Sequence, residues 1–217
     1  LCIAPCLCPE AVLQKSEFLH RLYCEEVESV FIQHLPLLEG IYTFFRARSS
    51  IPAKLLQMED FLLICQQANF IGDHTGVSKR ELKLIYVWSQ MMVVDEIKDR
   101  SRLVGMTFID FVEALGRIAE LIDPPTSSEL VEYFKNEGIN LPGNVTARGS
   151  DLLADFYNKY QAMTDLRANL IRESCSFIAE KTRPLAAKLQ SVLCWMARTF
   201  VENFNADDEA HCAKRLK

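Results

Sequence analysis

Two stretches of the chain, Gly76-Val77-Ser78-Lys79-Arg80-Glu81-Leu82 and Gly105-Met106-Thr107-Phe108-Ile109-Asp110-Phe111, carry one pattern: Gly, apolar, Ser or Thr, two residues, acid, apolar. No other feature restricts the fold so tightly. A hydroxyl followed three residues later by an acid is a capping box: the hydroxyl accepts from the backbone N–H three positions on, and the acid accepts from the N–H of the hydroxyl residue. Each copy therefore starts a helix. The first is expected to run from about Ser78 through Leu82, Leu84, Ile85, Trp88 and Met91, and the second through Phe108, Phe111, Val112, Leu115, Ile118, Ala119 and Ile122. Asp110, Glu113, Arg117 and Glu120 fill the gaps of the second, which makes it amphipathic or wholly buried.

The same spacing of three and four extends to both sides. Val12, Phe18, Leu19, Leu22, Val27, Val30, Phe31 and Leu35 predict two helices interrupted at Pro36. Leu55, Leu56, Phe61, Leu62, Ile64 and Cys65 predict a helix over Leu55 to Phe70, with Glu59 and Asp60 near its start, where the helix dipole favours acids. Ile71-Gly72-Asp73 is its stop. Pro124-Pro125 is the clearest boundary, followed by a short helix from Ser128 to Glu137. Ser150 caps a long pattern from Leu152 to Ile178 that Pro184 should end or kink. A last helix spans Leu185 to Phe204, and the polar tail after Asn205 should fray. No stretch alternates Val, Ile and Thr strongly enough to demand a sheet. The expected class is all-α: a tail and helices over 1–50, a helix-loop-helix pair over 51–122, and a C-terminal helical region over 128–217, packed on the pair or separate.

With 49% hydrophobic and 24% charged residues, the 217-residue chain can bury one large core or two small ones. A net charge of −5 argues against nucleic acid as a partner. No apolar run approaches the roughly 18 residues of a membrane span. Cys65 and Cys194 sit among apolar residues, as small hydrophobes do, which suggests reduced thiols and a cytoplasmic location. Cys2, Cys6 and Cys8 have an unusual spacing for zinc and no fourth ligand nearby, so lipidation or an unstructured tail is favoured there. Asn144-Val145-Thr146 fits a glycosylation sequon but reads as a loop. His20, His34, His74 and His211 form no paired motif, and phosphate-cradling and nucleophile-elbow motifs are absent. The expectation is a protein without catalytic site or cofactor whose partners are other proteins.

A capped helix preceded by Gly and one apolar residue, repeated behind an apolar helix, resembles the EF-hand. That family places oxygen ligands at the first, third, fifth, seventh, ninth and twelfth loop positions, Gly at the sixth, and at the eighth an apolar residue that bridges paired loops. With Glu81 twelfth, Val77 is eighth and Ser78 ninth, but Phe70, Gly72 and His74 fall on ligand positions. With Asp110 twelfth, Asp99 is first, Ser101 third, Met106 eighth and Thr107 ninth, while Leu103 and Val104 replace the fifth ligand and the Gly. The segment 82–98 between the loops is short for a standard pair. The wording around Trp88 to Glu96 and Met106 to Ala119 also looks like EF-hand-like proteins of cilia and flagella.

The resemblance implies a scaffold or adaptor of a larger assembly, ciliary or cytoskeletal, with metal loops turned structural. The alternative is a calcium-responsive regulator, for which Glu81, Asp99, Ser101, Thr107 and Asp110 are the degenerate ligand candidates. No bound metal is expected, because capping alone accounts for Thr107 and Asp110. Trp195, Met196, Phe200 and Phe204 are the candidate anchors for a partner groove, or else the core face of the last helix.

Overall fold

Capping, burial and a pair of very short strands organise the chain. The computed structural model describes residues 17–48, 55–72, 75–91, 97, 102, 104–122, 124, 131, 135 and 183–215, with side chains described to 201 in the last helix. A helical stretch at 17–22 precedes α1 (Glu25–Arg48), β1 (Leu56–Gln57), α2 (Met58–Gln67), α3 (Lys79–Ser89), β2 (Gly105–Met106), α4 (Phe108–Ile122) and α5 (Leu185–Arg215). The described residues are thus mostly helical. Val131 and Lys135, within the expected short helix, are also helical. The expected 150–178 helix, the cysteines before residue 17, Asp99 and Ser101 lie outside the described residues.

Both expected capping boxes are formed. Ser78 N donates to Glu81 Oε2 at 2.6 Å, and Glu81 N donates to Ser78 Oγ at 3.4 Å. Thr107 N donates to Asp110 Oδ2 at 2.8 Å, and Asp110 N donates to Thr107 Oγ1 at 3.2 Å. Helix α2 ends earlier than the sequence suggests, because Asn69 adopts φ 61°. Its N–H donates to Gln66 O, and the Phe70 N–H donates to Cys65 O, the paired bonds of a Schellman stop with Asn in the place usually held by Gly. That turn delivers Phe70 to the core, where it is fully buried.

Three expectations are corrected. The break expected at Pro36 lies instead at Tyr23-Cys24, and α1 runs through Pro36. Val27 before the proline and Leu38, Ile41, Tyr42 and Phe45 after it are all buried on one core. Burial on that scale outweighs one missing helical N–H, and Pro36 is exposed, so the carbonyl it fails to serve is open to water. Second, α5 does not fray after Asn205 but continues to Arg215, through Ala206, Glu209, Ala210 and Ala213, all good helix formers. Third, a sheet exists: β1 and β2 pair antiparallel, Leu56 opposite Met106 and Gln57 opposite Gly105. Val77, at the equivalent place in the first copy of the repeat, forms a local bridge to Gly72.

Helix α4 is the centre of the fold. It packs against α3, α5 and α1, and every residue from Asp110 to Ile122 is buried except Val112, which is partly so. Its charges are therefore paired. Arg117 binds Glu113 at 2.7 Å and lies 4.5 Å from the ring centre of Phe18; Glu120 Oε1 accepts from Arg21 at 3.1 Å and from the buried Lys188 of α5 at 3.2 Å. Gly116 makes the docking of the 17–22 stretch possible, since a Cβ there would stand 2.5 Å from Leu22 Cδ1.

Gly116→Ala tests that contact, because a better helix former is set against a steric conflict. Overpacking costs about 1–3 kcal/mol and the propensity gain returns about 1 kcal/mol, so a net loss of about 1 kcal/mol is expected in urea unfolding. An unchanged or raised midpoint would contradict the close approach of Leu22.

Candidate functional site

The β1–β2 pairing relates two six-residue stretches, Leu56-Gln57-Met58-Glu59-Asp60-Phe61 and Met106-Thr107-Phe108-Ile109-Asp110-Phe111, which start at paired residues and run in opposite directions. In both, an acid four residues after the strand's apolar residue reaches back to a backbone N–H. Asp60 is bonded to the Gln57 backbone as Asp110 is to Thr107. The structurally matched pair is therefore 56–61 with 106–111. The sequence repeat at 76–82 supplies a genuine cap, but it is not the partner of 105–111.

Asp110 is nearly fully buried, and both of its oxygens are engaged. Oδ2 accepts from Thr107 N and from Thr107 Oγ1 at 2.7 Å, while Oδ1 accepts from Met91 N at 3.3 Å. The last contact ties the end of α3 to the start of α4. The strand carbonyls are engaged as well. Tyr42 donates to Met106 O at 3.0 Å, and the Tyr86 hydroxyl is shared between Leu56 O at 3.0 Å and Val104 O at 2.9 Å. Burial, reinforced by the Asp110, Asp60 and Tyr42 charges, pushes the Tyr86 phenol well above its ordinary value. Tyr42 is also raised, again chiefly by burial. Asp60 is raised by burial and by neighbouring Glu59, against the lowering effect of the Gln57 bond.

Of the candidate ligands, Thr107 and Asp110 meet, but as cap partners. Glu81 is engaged with its own Ser78 cap. Among the described residues no group of three or more His, Cys, Asp or Glu side chains converges to hold an ion.

The second feature is a groove and its occupant. Helix α5 lies against α1 and α4 and touches α2. Trp195 meets Phe70 edge-on at 5.2 Å, and Phe200 meets Phe45 edge-on at 6.1 Å. Trp195, Met196 and Phe200 are all buried, together with Leu185, Leu189, Val192 and Leu193. These three anchors thus fill a groove made by their own chain; the side chain of Phe204 lies outside the described residues. The apolar face from Leu185 to Phe200 is covered by α1, α2 and α4, whereas Val201 is exposed. At the edge of the groove Cys194 Sγ accepts from Gln190 Nε2 at 3.1 Å and stands 3.9 Å from His34 Nε2. Cys24, Cys65 and Cys194 are free thiols, and burial pushes the Cys65 thiol far up.

Sequence reasoning missed Tyr42, Tyr86, Lys188 and the role of Leu56. Lys188 carried a signal: a lone cation between Leu185 and Leu189 on an otherwise apolar face calls for a buried acid. Among the described residues no helix is long and apolar enough to cross a membrane. No family, curated protein or solved structure matches the chain.

Asp110→Ala should lower stability by about 2 kcal/mol, since it strips a cap, removes a buried side chain and leaves the partly buried Met91 and Thr107 donors unpaired. Ser78→Ala, at an exposed cap, should cost about 1 kcal/mol. Denaturant unfolding that ranked them the other way would contradict the linking role of Asp110. Alkaline titration gives a second test. A phenol raised above its unfolded value stabilises the fold fully below about pH 10, and that contribution is lost as pH rises through the folded value. Wild-type protein should therefore lose stability steeply above about pH 10, and Tyr86→Phe should lose less over the same range.

Proposed function

We propose that this chain is a non-enzymatic protein-binding scaffold or adaptor subunit, built on an EF-hand-like helix-loop-helix pair that is held closed without metal. The observation that supports this most is the seating of α5 in the groove between α1, α2 and α4. In calcium-switched relatives of that design, ion binding opens an apolar groove for a target helix. Here the chain's own Trp195, Met196 and Phe200 fill the groove. A site so occupied has no reason to open.

The loops favour the same reading. Leu56 and Met106 face each other as bridging residues of paired loops would, with Asp60 and Asp110 at the closing acid positions. Aspartate is shorter than the bidentate glutamate that closes a calcium loop, and the Asp110 oxygens already have donors from Thr107 and Met91. A cation would have to displace those bonds. Partner contacts then fall to the outward faces of the helices, and the resemblance to ciliary and flagellar proteins suggests a cytoskeletal assembly in the cytoplasm, cilium or flagellum.

Melting curves in calcium at about a millimolar and in excess chelator should coincide, because a ligand that binds the folded state would raise the melting temperature. Saturable heat of binding at micromolar calcium would overturn the scaffold reading in favour of a calcium-responsive regulator.

A further inference from the structure

The outward faces of α1 and α3 carry matching stripes. On α1, Glu28, Ile32, Leu35 and Glu39 are all exposed and follow one another at spacings of four, three and four. On α3, Arg80, Leu84, Val87 and Met91 are exposed at the same spacings, Met91 lying just past the helix end. That alternation keeps side chains along one line of a helix and is the seam spacing of paired helices. The apolar members of the stripes stand well out of the core, Ile32 at 61% and Val87 at 53% exposure.

The charges around the two stripes are opposite. Exposed Glu25, Glu26 and Glu28 stand at the start of α1, and exposed Lys79, Arg80 and Lys83 at the start of α3. Laid side by side in the same direction, the stripes set Glu28 against Arg80, Ile32 against Leu84, and Leu35 against Val87, with Glu25 and Glu26 at the same end as Lys79 and Lys83. Either direction leaves one acid beside Met91, Glu39 in the parallel arrangement and Glu28 in the reverse, but only the parallel one brings the two charged ends together.

We propose that a second copy of this chain is the partner: α1 of one copy packs in parallel on α3 of the next. Each copy carries both stripes, so the contact either closes reciprocally as a twofold dimer or passes from copy to copy as a ring or filament. A parallel seam of this kind would hold subunits through its apolar centre and fix their direction through its charged end.

The test is sedimentation velocity of the full chain across a concentration series, at low salt and at about half-molar salt. The wild type should associate at tens of micromolar and dissociate partly at high salt, because exposed charges are screened. Arg80→Glu with Lys83→Glu should weaken association at least about tenfold, and Glu25→Lys with Glu28→Lys should do the same. Mixing the two variants should restore it, since each reversed stripe then meets its complement. All four positions are exposed, so both variants should stay folded, with the α1 reversal melting slightly lower because the helix dipole favours acids in that first turn; Val87→Ser, which alters no charge, reads the apolar centre separately. A wild type that stays monomeric at about 100 µM in low salt overturns the proposal. So does association that survives both reversals, or that the α3 reversal abolishes while the α1 reversal leaves it intact.

Discussion

Burial of α4 on nearly every side is the constraint from which the rest of this structure follows. A helix in that position must be walled in all round, and every charge it carries must find a partner inside the protein. The apolar demand is met by α3, α1 and α5, with the 17–22 stretch closing over Gly116. The charged demand is met locally by the Glu113–Arg117 pair and remotely by Arg21 and Lys188 on Glu120. Those remote partners come from the two ends of the described chain. The ion pairs therefore contribute less as sources of stability than as fixed points of assembly, since removing one member would leave a buried charge without a partner.

The same economy of internal contacts governs the strand pair. Two residues on each strand make a weak sheet, but its outer carbonyls are held by Tyr42 and Tyr86, and its acid side is held by Asp110 reaching Thr107 and Met91. On the function proposed above, the bonds to Asp110 occupy the acid that would close a calcium loop. Neutral phenols and backbone amides need no ion to organise them, and burial makes the phenols harder to ionise. The strand pair thus joins the start of α2 to the start of α4.

Much of this was legible in the sequence, and the failures have physical causes. Both capping boxes were readable because a hydroxyl and an acid three apart act locally. Helix existence followed from the spacing of apolar residues. The path of α1 through Pro36 was not readable, because its cause is burial of Leu38, Ile41 and Phe45 against distant elements. That Leu56 faces Met106 was not readable for a related reason. Leu55 and Gln57 lack the Gly and hydroxyl that make Gly105 and Thr107 conspicuous, so the 56–61 unit is visible only through its pairing. Trp195, Met196 and Phe200 were readable as a stripe, but the sequence could not say whose groove they fill. That depended on the turn at Asn69 bringing Phe70 to Trp195.

The account stands or falls on α5 being an integral wall of the core. Native-state hydrogen exchange of the intact protein measures this directly, since it separates elements that open locally from those released only by global unfolding. The amides of Leu189 to Phe200 should be protected to the same free energy as those of Phe111 to Ile118, with chelator and calcium giving identical values. Exchange of α5 through a smaller opening while α4 stays protected, or a gain of protection with calcium, would contradict the account and recast α5 as a displaceable ligand of the groove.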